Sequence, residues 1–346
     1  MISTLIIKNF RCFKKVELSN LGRFNVIVGG SGSGKTALLE AIFLPGNSAS
    51  IPITMRTHRG MIVPAFSPAK QAYESMFSDL FYNFNTDMPI EVTVSGSYEN
   101  SRQLRIYFKY IAEKPLVPEL KGDSFSDRLF TFQTKDADEK ESLQQVNLQG
   151  NITAGGQHKE ASITLVASNV IVNSQVISQM FSELSKVNQD AAIQETMTSL
   201  FPEISQLSTE LTGGIGEMHC KYIGVDRKVP LALVSNGMNK VFCILLFIAS
   251  QRNGIVMVDE IENGVYYKAL PKMWEAIIEF CKKFNVQFFA STHSKECLEN
   301  LTPLIEINES EFRLIKTEVD SDGIHTAKIF KGKNFAAALE TGTEIR

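Results

Sequence analysis

The stretch that most constrains the fold of this chain is residues 29–34, which hold four glycines and two serines. With Lys35 and Thr36 they fit the pattern Gly-x-x-x-x-Gly-Lys-Ser/Thr. Residues 24–28 predict a strand before the loop and residues 37–43 a helix after it, which is the context that a phosphate-binding loop requires. Because glycine tolerates positive φ angles, the backbone N–H groups can line an anion site at the positive end of that helix.

The loop residues are the first candidate ligands of a bound nucleotide. Lys35 would reach the β- and γ-phosphates as a point charge, and the hydroxyl of Thr36 would occupy one coordination position of Mg²⁺. Other loop positions would surround the phosphates with backbone N–H groups. The candidate binding residues are Gly29, Ser31, Gly32, Ser33, Gly34, Lys35 and Thr36.

Two acidic residues follow directly on a second apolar run. Residues 255–258 are Ile-Val-Met-Val and lead into Asp259 and Glu260. Such a run predicts a strand buried on both faces, so the two carboxylates would lie at its carboxyl end, where open α/β sheets bind ligands. Asp259 would hold Mg²⁺ directly or through water, and Glu260 would accept a proton from the attacking water.

Two further signals depend on these motifs for their interpretation. Ser235 and Gly237 begin a predicted helix in the stretch Ser-Asn-Gly-Met-Asn-Lys, where a hydroxyl and N–H groups can bind an anion or cap the helix. His293 follows the predicted strand 286–291 and would lie at the same sheet edge as Asp259. Its imidazole could donate a hydrogen bond to a terminal phosphate. Taken alone, each of these residues fits a purely structural role as well.

Net charge and composition limit the partners and the location of the protein. The 346 residues carry a net charge of −3 with a pI near 6.0, which weakens a nucleic-acid hypothesis. A local patch of Lys8, Arg11, Lys14 and Lys15 leaves DNA binding open. No apolar run approaches the roughly 20 residues that span a bilayer, and five scattered cysteines are typical of reduced thiols, so we expect a cytoplasmic protein.

The order of the predicted elements indicates an α/β fold with an insertion. After residue 239, apolar strands alternate with helical patterns, which predicts a parallel sheet. Between residues 90 and 168, short alternating runs predict antiparallel strands that form a lobe of their own, followed by helices over 176–201. We expect three segments: 1–89 with the phosphate loop, 90–230 as the inserted β-rich and helical lobe, and 231–346 with the acids and His293.

The four motifs, in this order, resemble the ABC-type (AAA) ATPases of the RecF, SMC and OLD group. The resemblance spans nearly the whole chain, from LIIKNFRCF, which is similar to the opening strand of that group, to ALETGTEIR, which is similar to its closing helix. It identifies residues 29–36 as the Walker A loop, Asp259 and Glu260 as the Walker B acids, residues 235–240 as a degenerate signature motif and His293 as the switch histidine. The implied fold is a P-loop NTPase of ABC-ATPase type, a mixed β-sheet flanked by helices, with ATP and Mg²⁺ as cofactors.

Some positions depart from the pattern of that group. Ser31 stands where the group often has Asn, and Tyr266 stands where it often has His after the Walker B acids. Gln71 and Gln103 are both candidates for the Q-loop glutamine. These departures bear on the rate of hydrolysis more than on nucleotide binding.

The resemblance also implies a function. OLD proteins carry a Toprim nuclease domain and SMC proteins carry long coiled coils, whereas this sequence has no pattern for either, so we expect an OLD-like ATPase head without the nuclease. Such heads imply an ATP-dependent homodimer or higher homo-oligomer that controls a separately encoded nuclease or toxin in anti-phage defence. The alternatives are a RecF-like clamp that closes on DNA with ATP, and a nucleotide-binding scaffold that hydrolyses nothing.

Overall fold

Strands and helices alternate along the chain, and the computed structural model describes residues 1–46, 77–97, 101–110, 128–146, 152–156, 161–168, 174–332 and 334. The strands are β1 (Ile2–Phe10), β2 (Phe13–Ser19), β3 (Phe24–Val28), β4 (Ile90–Gly96), β5 (Arg102–Tyr110), β6 (Arg128–Asp136), β7 (Glu141–Val146), β8 (Ile152–Gly156), β9 (Ile163–Val166), β10 (Ile204–Thr212), β11 (Ile215–Tyr222), β12 (Val229–Pro230), β13 (Ile255–Val258), β14 (Gln287–Ser291), β15 (Phe312–Val319) and β16 (His325–Lys331). The helices are α1 (Lys35–Phe43), α2 (Ser174–Lys186), α3 (Asp190–Leu200), α4 (Leu231–Val234), α5 (Asn236–Ser250), α6 (Leu270–Phe284) and α7 (Lys295–Ile307).

The central sheet has the strand order β16-β15-β3-β14-β13-β9. Its inner strands pair in parallel, and β16 is antiparallel to β15. The predicted parallel sheet is confirmed, and so is the α/β class. Because β3, β13 and β14 run in the same direction, the phosphate loop, the acids and His293 follow the same edge of this sheet.

Two apolar layers cover the faces of the central sheet. In β3, Phe24, Val26 and Val28 pack into a layer with α5, α6 and α7, whereas Ile27 packs on the opposite side with α1 and the antiparallel strands. This alternation is what a strand with two buried faces produces. The sheet therefore lies between helices on one side and a second sheet with α1 on the other, which holds the loop after β3 rigidly.

The second sheet has seven strands in the order β2-β1-β4-β5-β6-β7-β8, all antiparallel. The expectation that the strands after residue 90 form a lobe of their own is wrong at both ends. Strand β4 pairs with β1, and β9 pairs in parallel with β13 in the central sheet. Local alternation predicts a strand but does not say which neighbouring edge it joins. The division at residues 89 and 230 stays a prediction.

The remaining predictions concern short elements. The sequence predicts strands over 217–225 and 229–233. The first corresponds to β11, whereas the second is a strand only over Val229–Pro230, because α4 begins at Leu231. Strands β11 and β12 join β10 in a three-stranded sheet. The sequence also predicts an irregular segment over 45–68 and a helix over 69–83, of which only 45–46 and 77–83 are among the described residues. The closing helix lies outside them. No helix of the described part is long and apolar enough to cross a membrane.

The cysteines are thiols, as predicted, and most of them lie in the core. Cys220, Cys243, Cys281 and Cys297 are buried, and Cys12 is half-buried. Burial raises the pKa of Cys243 to about 12 and that of Cys297 to about 11. These side chains therefore act as small apolar groups in the core.

Candidate nucleotide-binding site

The loop between β3 and α1 has the backbone that the Gly-rich pattern predicts. Gly29 has φ 147° and Gly34 has φ 104°, which are conformations that residues with a Cβ rarely adopt. A Cβ on Gly29 would lie 2.2 Å from the carbonyl oxygen of Thr317, and one on Gly34 would lie 2.7 Å from Cζ of Phe13. Only glycine fits at these two positions, so the loop is held in one shape by its neighbours.

Lys35 begins α1 and folds back across the loop. Its Nζ donates hydrogen bonds to the carbonyl oxygens of Gly29 at 2.7 Å and Gly30 at 2.9 Å. Burial lowers the pKa of Lys35, while the carboxylates of Asp259 and Glu260 act in the opposite direction. The side chain is half-buried, so it does not point freely into solvent when no ligand is bound.

The C-terminal strands support the loop through residues that the sequence analysis did not identify. The Ser33 Oγ lies 2.7 Å from Oγ1 of Thr317, which in turn donates to the Val28 carbonyl at 3.1 Å. His325 Nδ1 lies 3.2 Å from the carbonyl oxygen of Ser33. No local signal in the sequence marks Thr317 or His325, because their role depends on β15 pairing with β3.

The acid pair meets the phosphate loop as predicted. Asp259 is 5% exposed, and its Oδ2 accepts a hydrogen bond of 2.9 Å from the hydroxyl of Thr36. Its Oδ1 accepts a hydrogen bond from Ser291 Oγ at the end of β14. The same Ser291 oxygen accepts from the backbone N–H of Glu260 at 2.8 Å. The ends of β13 and β14 and the start of α1 are therefore joined around one carboxylate.

Thr36 and Asp259 fit a magnesium ion by their donor chemistry. Mg²⁺ is commonly held by one or two protein oxygens and completes its shell with substrate phosphates and water. Within the described ranges no three or more His, Cys, Asp and Glu side chains form a metal-binding cluster. The Thr36 hydroxyl and the Asp259 carboxylate would thus hold a Mg²⁺ ion that binds together with the nucleotide. The ion would neutralise part of the charge of the phosphates.

Glu260 is held in an unusual conformation beside this pair. Its φ of 47° lies in the left-handed region, and its Oε2 accepts a hydrogen bond of 2.5 Å from Nδ2 of Asn263. Its carbonyl oxygen accepts a hydrogen bond of 2.5 Å from Nζ of Lys240. Strained backbone of this kind persists where the surroundings over-determine it, and often at functional sites.

Lys240 is a second site residue that the motif analysis did not single out. Burial lowers the pKa of Lys240, with the opposing influence of Glu262, Glu260 and Asp259. The residue lies on α5, after Ser235 and Gly237. Its hydrogen bond to the Glu260 carbonyl connects the start of that helix to the acid loop, the segment after β13 that begins with Asp259 and Glu260. Gly237 adds a second connection, because a Cβ there would lie 2.2 Å from the carbonyl oxygen of Gly264.

Glu262 organises the segment that carries His293. Its Oε1 accepts hydrogen bonds from the backbone N–H groups of His293 at 3.0 Å and Ser294 at 3.2 Å. The same oxygen lies 3.2 Å from Nδ1 of His293, whose side chain is 57% exposed. The imidazole is therefore oriented by Glu262 while one side of it faces solvent.

The predicted site residues do not all line the same cavity. A cavity of about 610 Å³ is lined by Ser31, Gly32, Gly34, Lys35, Thr36, Asp259 and Glu260. Two loop residues, Gly29 and Ser33, do not line it, and neither do Ser235, Gly237 and His293. Ser235 caps α5, with its Oγ accepting from the Met238 N–H at 3.4 Å. Gln103 lies exposed in β5 of the antiparallel sheet, and Gln71 lies outside the described residues.

Further residues that line the cavity come from the antiparallel side of the molecule. They include Arg11, Asp79, Tyr82, Asn83 and Phe84. Arg11 pairs with Glu40 at 3.5 Å and with Asp79 at 3.6 Å. Of the predicted basic patch, Arg11 therefore lies in the wall of this cavity, whereas Lys14 and Lys15 are exposed.

Comparisons with known proteins agree with this geometry. The family model described as "RecF/RecN/SMC N terminal domain" matches residues 1–316. The chain is 22% identical over 333 residues to an "ATP/GTP phosphatase" of Helicobacter pylori, with 88% of each chain covered. It is 53% identical over 49 residues, 14% of each chain, to the DNA replication and repair protein RecF of Actinobacillus pleuropneumoniae.

A solved structure extends the likeness to the fold. The Smc head domain derived from Pyrococcus furiosus, bound to the C-terminal domain of ScpA, has a TM-score of 0.53 and 13% identity, with 99% of each chain covered. The predicted P-loop fold of ABC-ATPase type is thereby confirmed.

Proposed function

Because the chain belongs to the RecF/RecN/SMC N-terminal domain family and is an ATPase of that type, we propose that ATP joins two copies of it into a switch that holds or releases a separately encoded effector protein. Mg²⁺ at Thr36 and Asp259 and a cytoplasmic location are parts of this proposal. Glu260 is the proposed general base, and Lys35 is the proposed phosphate-binding cation.

The observation that carries the proposal is that the start of α5 and His293 do not line the cavity of the phosphate loop. The phosphate loop and the acids line one cavity, whereas Ser235 and His293 lie outside it. A residue that does not line the cavity of its own copy can still contact a nucleotide bound in the cavity of a second copy. Leu233, two residues before Ser235, is 81% exposed, and Tyr266, beyond the loop that packs on Gly237, is 62% exposed. Exposed apolar side chains of this kind suit a surface that a partner covers.

The effector is the less direct part of the proposal. The resemblance to OLD-like heads favours a nuclease or toxin in anti-phage defence, and the Smc heads in the solved complexes are bound to ScpA. A partner of this chain would be found by affinity purification of the full chain with and without ATP from its native source. An ATP-dependent partner encoded beside the chain would support the switch, and its absence in both conditions would contradict it.

A RecF-like clamp is the second candidate function. The local identity to RecF favours it, as do the exposed Lys14 and Lys15, which line a second pocket that shares Tyr82 and Asn83 with the nucleotide cavity. A clamp would bind duplex DNA only with ATP, and its affinity would fall steeply with salt. Fluorescence anisotropy with labelled duplex at two salt concentrations separates it from the effector switch.

The substitution Ser235→Arg tests whether the start of α5 meets a second copy. We expect ATP binding by the monomer to stay near normal, whereas ATP-dependent dimerisation and hydrolysis are lost because bulk and charge obstruct the contact. Ser235→Ala is the matched control, since it removes the same helix cap, worth about 1 kcal/mol, without adding bulk. Normal dimerisation and turnover in Ser235→Arg would mean that this residue is only a cap.

The substitution Lys240→Met tests whether the α5 lysine positions Glu260. Loss of the hydrogen bond to the Glu260 carbonyl should let the strained backbone relax, and a displacement of about 1 Å can cost about 100-fold in rate. We expect kcat to fall about 10- to 100-fold while the Kd for ATP stays within about twofold. Lys268→Met, at an exposed position in the same region, is the control, and equal rates in both variants would contradict the positioning role.

A further inference from the structure

The wall of the nucleotide cavity also carries an exposed aromatic ring with no role in phosphate chemistry. Tyr82, Asn83 and Phe84 form a 3-10 turn that lines this cavity together with the phosphate loop. The side chain of Phe84 is 70% exposed. A large apolar surface left in water inside a cavity is a candidate for ligand contact.

The backbone of this turn is strained. Asn83 has φ 51° and Phe84 has φ 57°, so two successive residues that are not glycine occupy the left-handed region. Asn tolerates this conformation, but it is uncommon for a bulky residue such as Phe. The turn is closed by hydrogen bonds from the Phe84 N–H to the Phe81 carbonyl at 3.0 Å and from the Asn85 N–H to the Tyr82 carbonyl at 3.1 Å.

The turn is tied to neighbouring strands on both sides, and on its N-terminal side it is anchored in the core. Phe81 is 2% exposed, and its ring stacks on Phe108 with centroids 5.8 Å apart. The Arg11 N–H donates to the Leu80 carbonyl at 2.7 Å, and Asn9 Nδ2 donates to the Met88 carbonyl at 2.6 Å. The surroundings therefore hold the turn in its strained form and keep the Phe84 ring out of the core.

We propose that the ring of Phe84 is the platform on which the base of the bound nucleotide stacks. This inference rests on the proposed nucleotide site and names its base subsite. The phosphate loop accounts for the polyphosphate end of the ligand, and the volume of about 610 Å³ lies in the range of small-molecule sites, about 300–1,000 Å³. Every nucleobase has a π-face, so an aromatic ring binds bases without strong preference among them. The ring by itself would therefore not distinguish ATP from GTP.

The test compares a ligand that has a base with one that has none. For Phe84→Ala we expect the Kd for ATP to rise about 5- to 150-fold, the range of base-aromatic stacking, while the Kd for inorganic triphosphate stays within about twofold. Phe84→Trp keeps an aromatic face and should retain ATP affinity. Leu211→Ala, which removes another exposed apolar side chain far along the chain, is the control. Isothermal titration calorimetry in the presence of Mg²⁺ measures the Kd of each variant for both ligands.

The outcomes separate this inference from the proposed function. Unchanged ATP affinity in Phe84→Ala overturns the base platform and leaves the phosphate site intact. Equal weakening of ATP and triphosphate also overturns it, because the effect would then come through the phosphate loop. If the wild-type chain binds neither ligand, the proposed nucleotide site itself fails, and the base platform fails with it.

Discussion

Glu260→Gln is expected to hold two ATP-bound copies of the chain together while turnover falls about 10²- to 10⁴-fold, the usual contribution of a general base. Gln keeps the length of the side chain and an oxygen that can accept from Asn263 Nδ2, as Glu260 does now. The carbonyl contact with Lys240 is also unchanged by the substitution. What is lost is the capacity to accept a proton from water, so ATP should bind and remain unhydrolysed.

Size-exclusion chromatography with ATP and Mg²⁺ measures this result beside a phosphate-release assay. Wild type should show a transient shift to a larger species, and Glu260→Gln should make that species long-lived. Asp259→Ala is the contrasting variant, because it removes the carboxylate that bonds Thr36 and Ser291. It should lose Mg²⁺-dependent activity without the trapped species. Wild-type turnover in Glu260→Gln would exclude Glu260 as the base.

Glu262 is the other carboxylate near the site, and its contacts favour a positioning role. Its Oε1 already accepts two backbone N–H groups and lies beside the His293 imidazole, and its side chain is only 11% exposed. A carboxylate held by these contacts has little freedom to move toward an attacking water. If Glu260→Gln retained its activity, Glu262→Gln would be the next variant to assay.

Lys35→Ala is expected to weaken ATP binding about 30-fold or more, the effect of removing one partner from a close charge pair. The lysine is half-buried, and it rests on the carbonyls of Gly29 and Gly30. It therefore needs to move only from these oxygens to a phosphate. Removing it should leave the fold intact, since the loop is also held by Thr317 and by the packing of Gly34.

Nucleotide titration gives the affinity, and thermal unfolding of the ligand-free protein checks the fold. Lys14→Ala, at an exposed position on β2, is the control for loss of one positive charge. Both variants should unfold at nearly the same temperature as wild type, and only Lys35→Ala should lose affinity. Equal ATP affinity in the two variants would contradict the phosphate role of the loop lysine.

The sequence by itself determined the parts of the site that are built from neighbouring residues. The loop over 29–36 needs glycines because its backbone has positive φ angles, and it lies between a strand and a helix. The strand β13 was predicted with its observed bounds, since four apolar residues followed by acids are typical of a strand end at a ligand site. These signals are local, because backbone conformation and strand burial are determined by residue types within a few positions.

The tertiary structure alone decided which distant residues complete the site. Thr317 and His325 reach the phosphate loop because β15 pairs with β3, and Lys240 reaches the Glu260 carbonyl because α5 packs beside the acid loop. The sequence pattern likewise did not predict that β4 pairs with β1 or that β9 pairs with β13. A strand pattern records which side chains are buried but not which edge it joins. Contacts between residues hundreds of positions apart follow only from that choice of edges.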